Sequence, residues 1–214
     1  YMKLIDKNAY ERNKEAVHHE NKYVFNCMNT DKICIFTDTG KMHTIKAVDI
    51  PLGRFRDKGT PVDNLSNYDS SQERMLYVAP VGQLRSDRLL FVTKTSMCKL
   101  VEGAEFDVAK RTIASTKLAD EDELIFIGSA SEMEQIVLQS HGGCFLRFLT
   151  QEVSTMKKTA LGVRGMKLAD DDYLEHAYLL AGHQEYTISY HDKEYALNKV
   201  RLAKRDTKGI KPRI

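Results

Sequence analysis

The sequence predicts an all-β chain built from a repeated unit of about fifty residues, four short strands to the unit, in the manner of propeller blades. Three observations predict it. Lys167-Leu168-Ala169-Asp170-Asp171-Asp172-Tyr173-Leu174 reads almost as Lys117-Leu118-Ala119-Asp120-Glu121-Asp122-Glu123-Leu124, fifty residues earlier. A β-rich run that ends in a polar turn and resumes as a second strand recurs along the chain. Helical periodicity is poor in most windows, and only four prolines interrupt the strand-and-turn pattern.

Ile33-Cys34-Ile35-Phe36-Thr37-Asp38-Thr39-Gly40-Lys41-Met42 is the template hairpin, with Gly40 where the turn demands a positive φ and a second strand running on to Ile45. The pattern returns at Leu89–Ser96, where Ser96 takes the glycine position, and at Ile136–Gly143. A weaker copy runs from Tyr186 to Lys193. Each hairpin leads through a polar, basic connection to another strand. In the first copy the connection is Pro51–Gly59, leading into a strand through Val62 and Leu65; in the third it is Met156–Gly162, leading into Val163-Arg164-Gly165-Met166. Each unit then closes on an acidic turn and a last apolar strand, Leu124–Ile127 in one copy and Leu174 onward in the next.

Residues 1–29 read as the later part of a unit with Tyr23-Val24-Phe25 as its closing strand. Full units follow at 30–81, 86–130 and 131–180, and 182–214 hold the early part of another. One domain of four to five blades, with a ring that need not close, is expected. Gly82–Asp87 reads as only a linker between blades.

The totals fit a globular chain: 42% of the 214 residues are hydrophobic and 29% charged. The longest apolar runs fall far short of the roughly 20 residues that cross a membrane. No charged-then-apolar leader opens the chain, and Tyr1-Met2-Lys3 reads as the cut end of a longer protein. Cys27, Cys34, Cys98 and Cys144 are scattered with no Cys-x-x-Cys pair, which favours free thiols in a reducing cytoplasm. The net charge is only +2, so a nucleic-acid role must come from where the charges lie.

Their placement is periodic. The connection after each hairpin carries a basic cluster: Arg54, Arg56 and Lys58; Lys110 and Arg111; Lys157, Lys158 and Arg164; Lys204, Arg205 and Lys208. A further cation recurs just after the hairpin turn: Lys41, Lys99 and Arg147. Equivalent positions in stacked blades share one rim, so these charges are expected to join into a curved positive track. From Leu197 to Ile214 there are seven Lys or Arg against one acid, Asp206. Lys and Arg also solvate the turns of any β-protein, but recurrence at matching places favours phosphate contact on a bent duplex.

Other candidates carry less. His18-His19-Glu20, read as strand, would point its histidines to opposite faces, and no second cluster completes a zinc site. Asp170-Asp171-Asp172 and Asp120-Glu121-Asp122 resemble magnesium ligands, yet a catalytic cluster would occur once and not per unit. Ser140-His141-Gly142 reads as a hairpin turn, and no phosphate-binding loop of the Gly-x-x-x-x-Gly-Lys type is present. No catalytic or metal residue is expected, and no cofactor.

The series Phe36-Thr37-x-x-Gly40-Lys41, Ile50-Pro51 and Arg54-x-x-x-Lys58-Gly59-x-Pro61-x-x-Asn64-Leu65 resembles the C-terminal repeats of bacterial type IIA topoisomerase A subunits, as does Gly162-Val163-Arg164-Gly165-Met166-Lys167-Leu168-x-x-x-Asp172. The likeness covers essentially the whole chain. It implies a β-pinwheel, a propeller-like disc whose blades exchange strands and whose basic rim binds and bends duplex DNA. It also implies partners: the N-terminal cleavage core of the same polypeptide, which holds the cleaving tyrosine, and an ATPase B subunit, with ATP and Mg serving the full enzyme in the bacterial cytoplasm. Gyrase A subunits carry a Gln-Arg-Arg-Gly-Gly-Lys-Gly box after a Tyr-Glu-x motif. Here Tyr10-Glu11-Arg12 is followed by Asn13-Lys14-Glu15-Ala16-Val17-His18-His19, without glycine and with one cation. That departure, and the similarity of Arg54-Phe55-Arg56-Asp57-x-Gly59 to Gram-positive topoisomerase IV, favour a topoisomerase IV-like domain that bends DNA over a gyrase domain that wraps it. A propeller used as a protein-interaction platform is the alternative of another class.

Overall fold

Four antiparallel hairpins, one to each unit after residue 29, organise the computed structural model, which describes residues 1–213. They are β1 (Lys32–Thr37) with β2 (Lys41–Lys46), β4 (Arg88–Thr93) with β5 (Met97–Glu102), β8 (Gln135–Ser140) with β9 (Phe145–Leu149), and β12 (Thr187–Tyr190) with β13 (Lys193–Ala196). A closing strand joins the first strand of each of the first three hairpins: β3 (Met75–Pro80), β7 (Leu124–Ser129) and β11 (Leu174–Leu180). Every residue from Ile33 to Thr37 is buried, as are those from Leu89 to Thr93. Such continuous apolar runs, in place of alternation, belong to strands covered on both faces. The core therefore lies between blades. Leu90 and Val92 pack with Ile136 and Leu138 of the next unit, and Cys34 and Phe36 with Leu89 and Phe91. All four cysteines are free, and burial pushes the Cys34 and Cys98 thiols up to about 12.

The fourth strand of each of the first two sheets comes from the next unit. β6 (Thr112–Ala114) lies downstream of the second hairpin and pairs with β2 of the first; β10 (Val163–Arg164) lies downstream of the third and pairs with β5 of the second. The sheets so completed read β3-β1-β2-β6 and β10-β5-β4-β7, while the third has three strands and the last two. In the third, Ile210 bridges to Phe145 at the same place without forming a full strand. The sheets are not closed on themselves.

Turn chemistry explains the hairpins. Gly40 and Gly143 sit at φ 76° and 81°, and Ser96 takes the same conformation at φ 74°, which costs a non-glycine residue about 1–2 kcal/mol. Its hydroxyl offsets that cost. Ser96 Oγ is buried and accepts the Met166 N–H at 2.7 Å, fastening the exchanged segment that glycine could not hold.

Several expectations are corrected. Tyr23-Val24-Phe25 is not a strand; its rings pack irregularly on the Ile33 and Ile35 core, with Tyr23 Oη donating to Leu76 O at 2.9 Å. Two short helices precede it, α1 (Lys7–Arg12) and α2 (Lys14–Glu20), the first capped by the Asp6 carboxylate on Ala9 N–H. Val62 and Leu65 belong to one helical turn, α3 (Val62–Leu65), because Pro61 fixes the entry to a turn that Ser66 closes onto Val62 O. Gly82–Asp87 is more than a linker. It contains most of α4 (Val81–Leu84), whose Leu84 is fully buried, and Asp87 accepts from Ser129 and Ser131 at 2.8 and 2.6 Å. Gly103 approaches so closely that a Cβ there would lie 2.0 Å from Leu84 O. At the start of the chain, Met2 bridges Thr60 and Leu4 bridges Leu52, just as Phe145 and Arg147 bridge Ile210 and Leu202. Met2–Leu4 thus fill the place of a second hairpin strand. Ile214, the last residue of the final partial unit, lies outside the described residues.

Candidate nucleic-acid interface

The backbone register decides which cations are equivalent. Leu52, Thr155 and Leu202 bridge in parallel to Leu4, Leu100 and Arg147. From there each connection bulges away as an arch and returns to the antiparallel bridges at Thr60, Val163 and Ile210. This register places Arg54, Lys157 and Lys204 in one column. Counting back from the β6 and β10 pairings places Lys58, Arg111 and Lys208 in a second, with Leu161 in the third unit's place. Arg54, Arg56, Lys58, Lys110, Arg111, Lys204 and Lys208 are exposed and form no ion pair among the described residues. Lys157 is exposed too, its ammonium 3.2 Å from Glu105 Oε1.

The remaining candidates divide. Lys41, Lys99 and Arg147 do not form a column, because they stand one, three and four residues after the turn residues Gly40, Ser96 and Gly143. Successive strand residues face opposite ways, so Arg147 faces away from the other two, and Lys41 and Lys99 stand two residues apart along the strand. Lys41 is exposed, Arg147 half-buried, and Lys99 only 1% exposed. Lys99 Nζ donates to Lys158 O and Ala160 O at 2.8 and 2.6 Å, and burial lowers its pKa to about 8. It is not available to a phosphate. Lys158 and Arg205 are half-buried and serve the arches internally: Lys158 Nζ donates to Glu105 O, and Arg205 donates to Glu152 O and Arg164 O. Arg164 is exposed but chelated by Asp206, which raises its pKa through that hydrogen bond and charge.

Matched carboxylates shape the arches. Glu105 Oε2 accepts the Lys158 N–H at 3.0 Å, and Glu152 Oε2 accepts the equivalent Arg205 N–H at 2.9 Å. Burial alone would raise the Glu105 carboxyl, but the Lys158 N–H and the Lys157 ammonium outweigh it and hold it below the usual carboxylate range. A depressed carboxylate stabilises the fold above its unfolded pKa of about 4.3, and that contribution is lost as pH falls through the lower folded value. Glu105→Gln is therefore expected to lower stability at pH 7. Its denaturation curves should converge with those of the parent as both are taken below about pH 4.

The repeated acids are latches of another kind. Asp122 accepts the Thr95 N–H and hydroxyl, Asp172 accepts the Gly142 N–H, and Glu73 accepts from Thr37 and Thr39, each at the hairpin turn of its own unit. Glu73 also meets His43 Nε2 at 2.6 Å in the interior. His18 and His19 lie on α2 and not on a strand, where His18 Nε2 meets Tyr10 Oη at 3.0 Å. Two exposed cations escaped the sequence reading although the opening repeat contains them: Lys117 and Lys167, in equivalent places just beyond β6 and β10.

A family profile described as "DNA gyrase C-terminal domain, beta-propeller" matches residues 31–70, 87–131 and 134–181, each stretch opening at the first strand of a hairpin. The chain belongs to that family. Among curated relatives, the DNA gyrase A protein of Ureaplasma parvum is 27% identical over 184 residues, covering 83% of this chain and 22% of the relative. That of Salmonella typhimurium is 31% identical over 144 residues, covering 66% and 16%. This member of the gyrase C-terminal domain family thus spans about a fifth of the length of the curated relatives it matches. Among solved structures, the C-terminal domain of DNA topoisomerase IV superimposes with a TM-score of 0.81 at 22% identity, covering 98% of this chain and 68% of that one. The E. coli ParC C-terminal domain gives 0.73 at 15%, covering 90% and 80%. These likenesses show the pinwheel fold of the family.

Proposed function

We propose that this domain binds duplex DNA along its basic arches, bends it, and presents the segment to the cleavage core of a type II topoisomerase. The observation that carries the reading is the pair of recurrent exposed columns, Arg54, Lys157 and Lys204 with Lys58, Arg111 and Lys208, on equivalent arches of successive units. Lys41, Lys110 and Arg56 add to the same positive surface, whereas Lys99, Lys158 and Arg205 support it from within. The domain contributes no chemistry. Strand cleavage belongs to the N-terminal core of the same polypeptide. ATP and Mg belong to the full bacterial, nucleoid-associated assembly with its B subunit.

A bending role of the topoisomerase IV kind is favoured over chiral wrapping. The stretch after Tyr10-Glu11-Arg12 is helix α2, without glycine, where a gyrase box would need several glycines and cations. Sequence relatives that carry the gyrase A name support the second reading, a wrapping domain. The two differ in outcome on relaxed circles. Titrating the domain onto them and then relaxing with a nicking-closing enzyme is expected to leave linking number nearly unchanged, and a strong positive shift supports wrapping. Duplex affinity should fall steeply with salt, with log K declining by about 0.9 per phosphate contact for each log unit of salt. A weak, flat dependence would instead indicate a protein-interaction platform.

A further inference from the structure

We infer that Lys3 and Lys99 are positioning residues, each holding the basic arch of the next unit in shape by donating to two of its carbonyls. The inference rests on the reading of the arches as the DNA surface, and it assigns a role to two lysines that touch no DNA themselves. Lys3 Nζ donates to Phe55 O and, at 2.5 Å, to Asp57 O. Lys99 Nζ donates to Lys158 O and Ala160 O at 2.8 and 2.6 Å.

These are one device used twice. The bridges Met2–Thr60 and Leu4–Leu52 put Lys3 where Lys99 stands between Cys98, paired with Val163, and Leu100, bridged to Thr155. By the same register Phe55 corresponds to Lys158, and Asp57 to Ala160. An ammonium offers three donors and no acceptor, so it can gather two carbonyls of one loop around a single point. With those carbonyls turned in, the residues between and beside them face out: Arg54, Arg56 and Lys58 on one arch, Lys157 and Thr159 on the other, are all exposed.

Two of the remaining units show what replaces the lysine. His43 occupies its place in the first hairpin and engages Glu73 and Thr112. Leu146 occupies it in the third and can donate nothing. There the arch is held by its own Arg205, on Glu152 O and Arg164 O.

The test uses the 214-residue chain with Lys3→Met and, separately, Lys99→Leu, the residue type already present at position 146. In Lys3→Met, which lies at the periphery, amide exchange across Arg54–Lys58 is expected to quicken while the rest of the chain is unchanged. Duplex affinity should fall about three- to tenfold, and the slope of log K against log salt should shrink by about one to two contacts. Lys99→Leu should do the same to Lys157–Leu161. Should Lys99→Leu fail to fold, Lys3→Met decides alone. Unchanged exchange in its arch, together with the parent's affinity and salt slope, overturns the inference. Arg56→Glu is measured in parallel. If it binds DNA as the parent does, the DNA reading of the arch fails, while the exchange data still judge the lysines.

Discussion

Reversing the charge of Arg56, Lys58, Arg111, Lys157 and Lys204 to Glu in one protein is expected to abolish duplex binding and leave the domain folded. All five side chains are exposed, and among the described residues only Lys157 has an acidic partner, at 3.2 Å. Surface changes of this kind usually move stability by no more than about 0.5 kcal/mol each. Binding should respond far more. Phosphate neutralisation by counterion release is steep enough that six to ten contacts separate 50 from 200 mM salt by roughly a thousandfold or more in affinity. Replacing five attractive charges with repulsive ones removes most of that term on four arches at once. The choice of residues follows from the structure. Lys158 and Arg205 donate to backbone carbonyls, so reversing them would disturb the arches and confuse lost charge with lost shape. The measurement is a salt titration of duplex affinity beside a thermal melt. Parent-like affinity with a parent-like slope would end the proposal.

The contrast between Lys58 and Lys99 shows where sequence reading reached and where it stopped. The hairpins were legible because turn chemistry is local: Gly40, Ser96 and Gly143 mark the same backbone conformation whatever lies around them. Arg54 and Lys157 were legible for the same reason, since each stands fourteen residues after such a mark. Strand exchange was not legible from spacing. Thr112–Ala114 is equally extended whether it completes its own sheet or, as it does, the sheet of β2 some seventy residues upstream. The fate of Lys99 hangs on that exchange, because its carbonyl partners arrive with the next unit's connection. A cation's column depends on strand register, and two residues of offset along the hairpin strand separate the exposed Lys41 from the buried Lys99. The helices α1 and α2 were missed on other grounds. Together they bury only Val17, so they lack the apolar stripe by which a helix announces itself. Asp87 and Gly103, inside or beside an unremarkable linker, depend on contacts with residues far along the chain.

Because the core lies between units, the largest loss of stability is expected from Phe36→Ala. Phe36 is fully buried on β1, and its ring centroid lies 4.9 Å from that of Phe106, 6.2 Å from Phe91 and 6.1 Å from Tyr77. Phe91 and Phe106 belong to the second unit, so this cluster joins two blades. Truncating a buried phenylalanine costs about 3–5 kcal/mol, a large share of the 5–15 kcal/mol that holds a typical domain together. The loss should also be uneven. In repeat architectures stability divides into terms within units and terms between neighbours, and this substitution strikes a term between neighbours. The sheet of β1, β2 and β3 should lose amide protection first, with denaturation broadening or splitting into two steps. The sheet of β8, β9 and β11 draws its core from the cluster around Leu138 and Phe148 and should keep its protection longer. Chemical denaturation with residue-resolved hydrogen exchange measures both effects. A loss below about 1.5 kcal/mol, or one spread evenly over all sheets, would mean that the blades are coupled chiefly by the exchanged strands β6 and β10 and not by this aromatic joint.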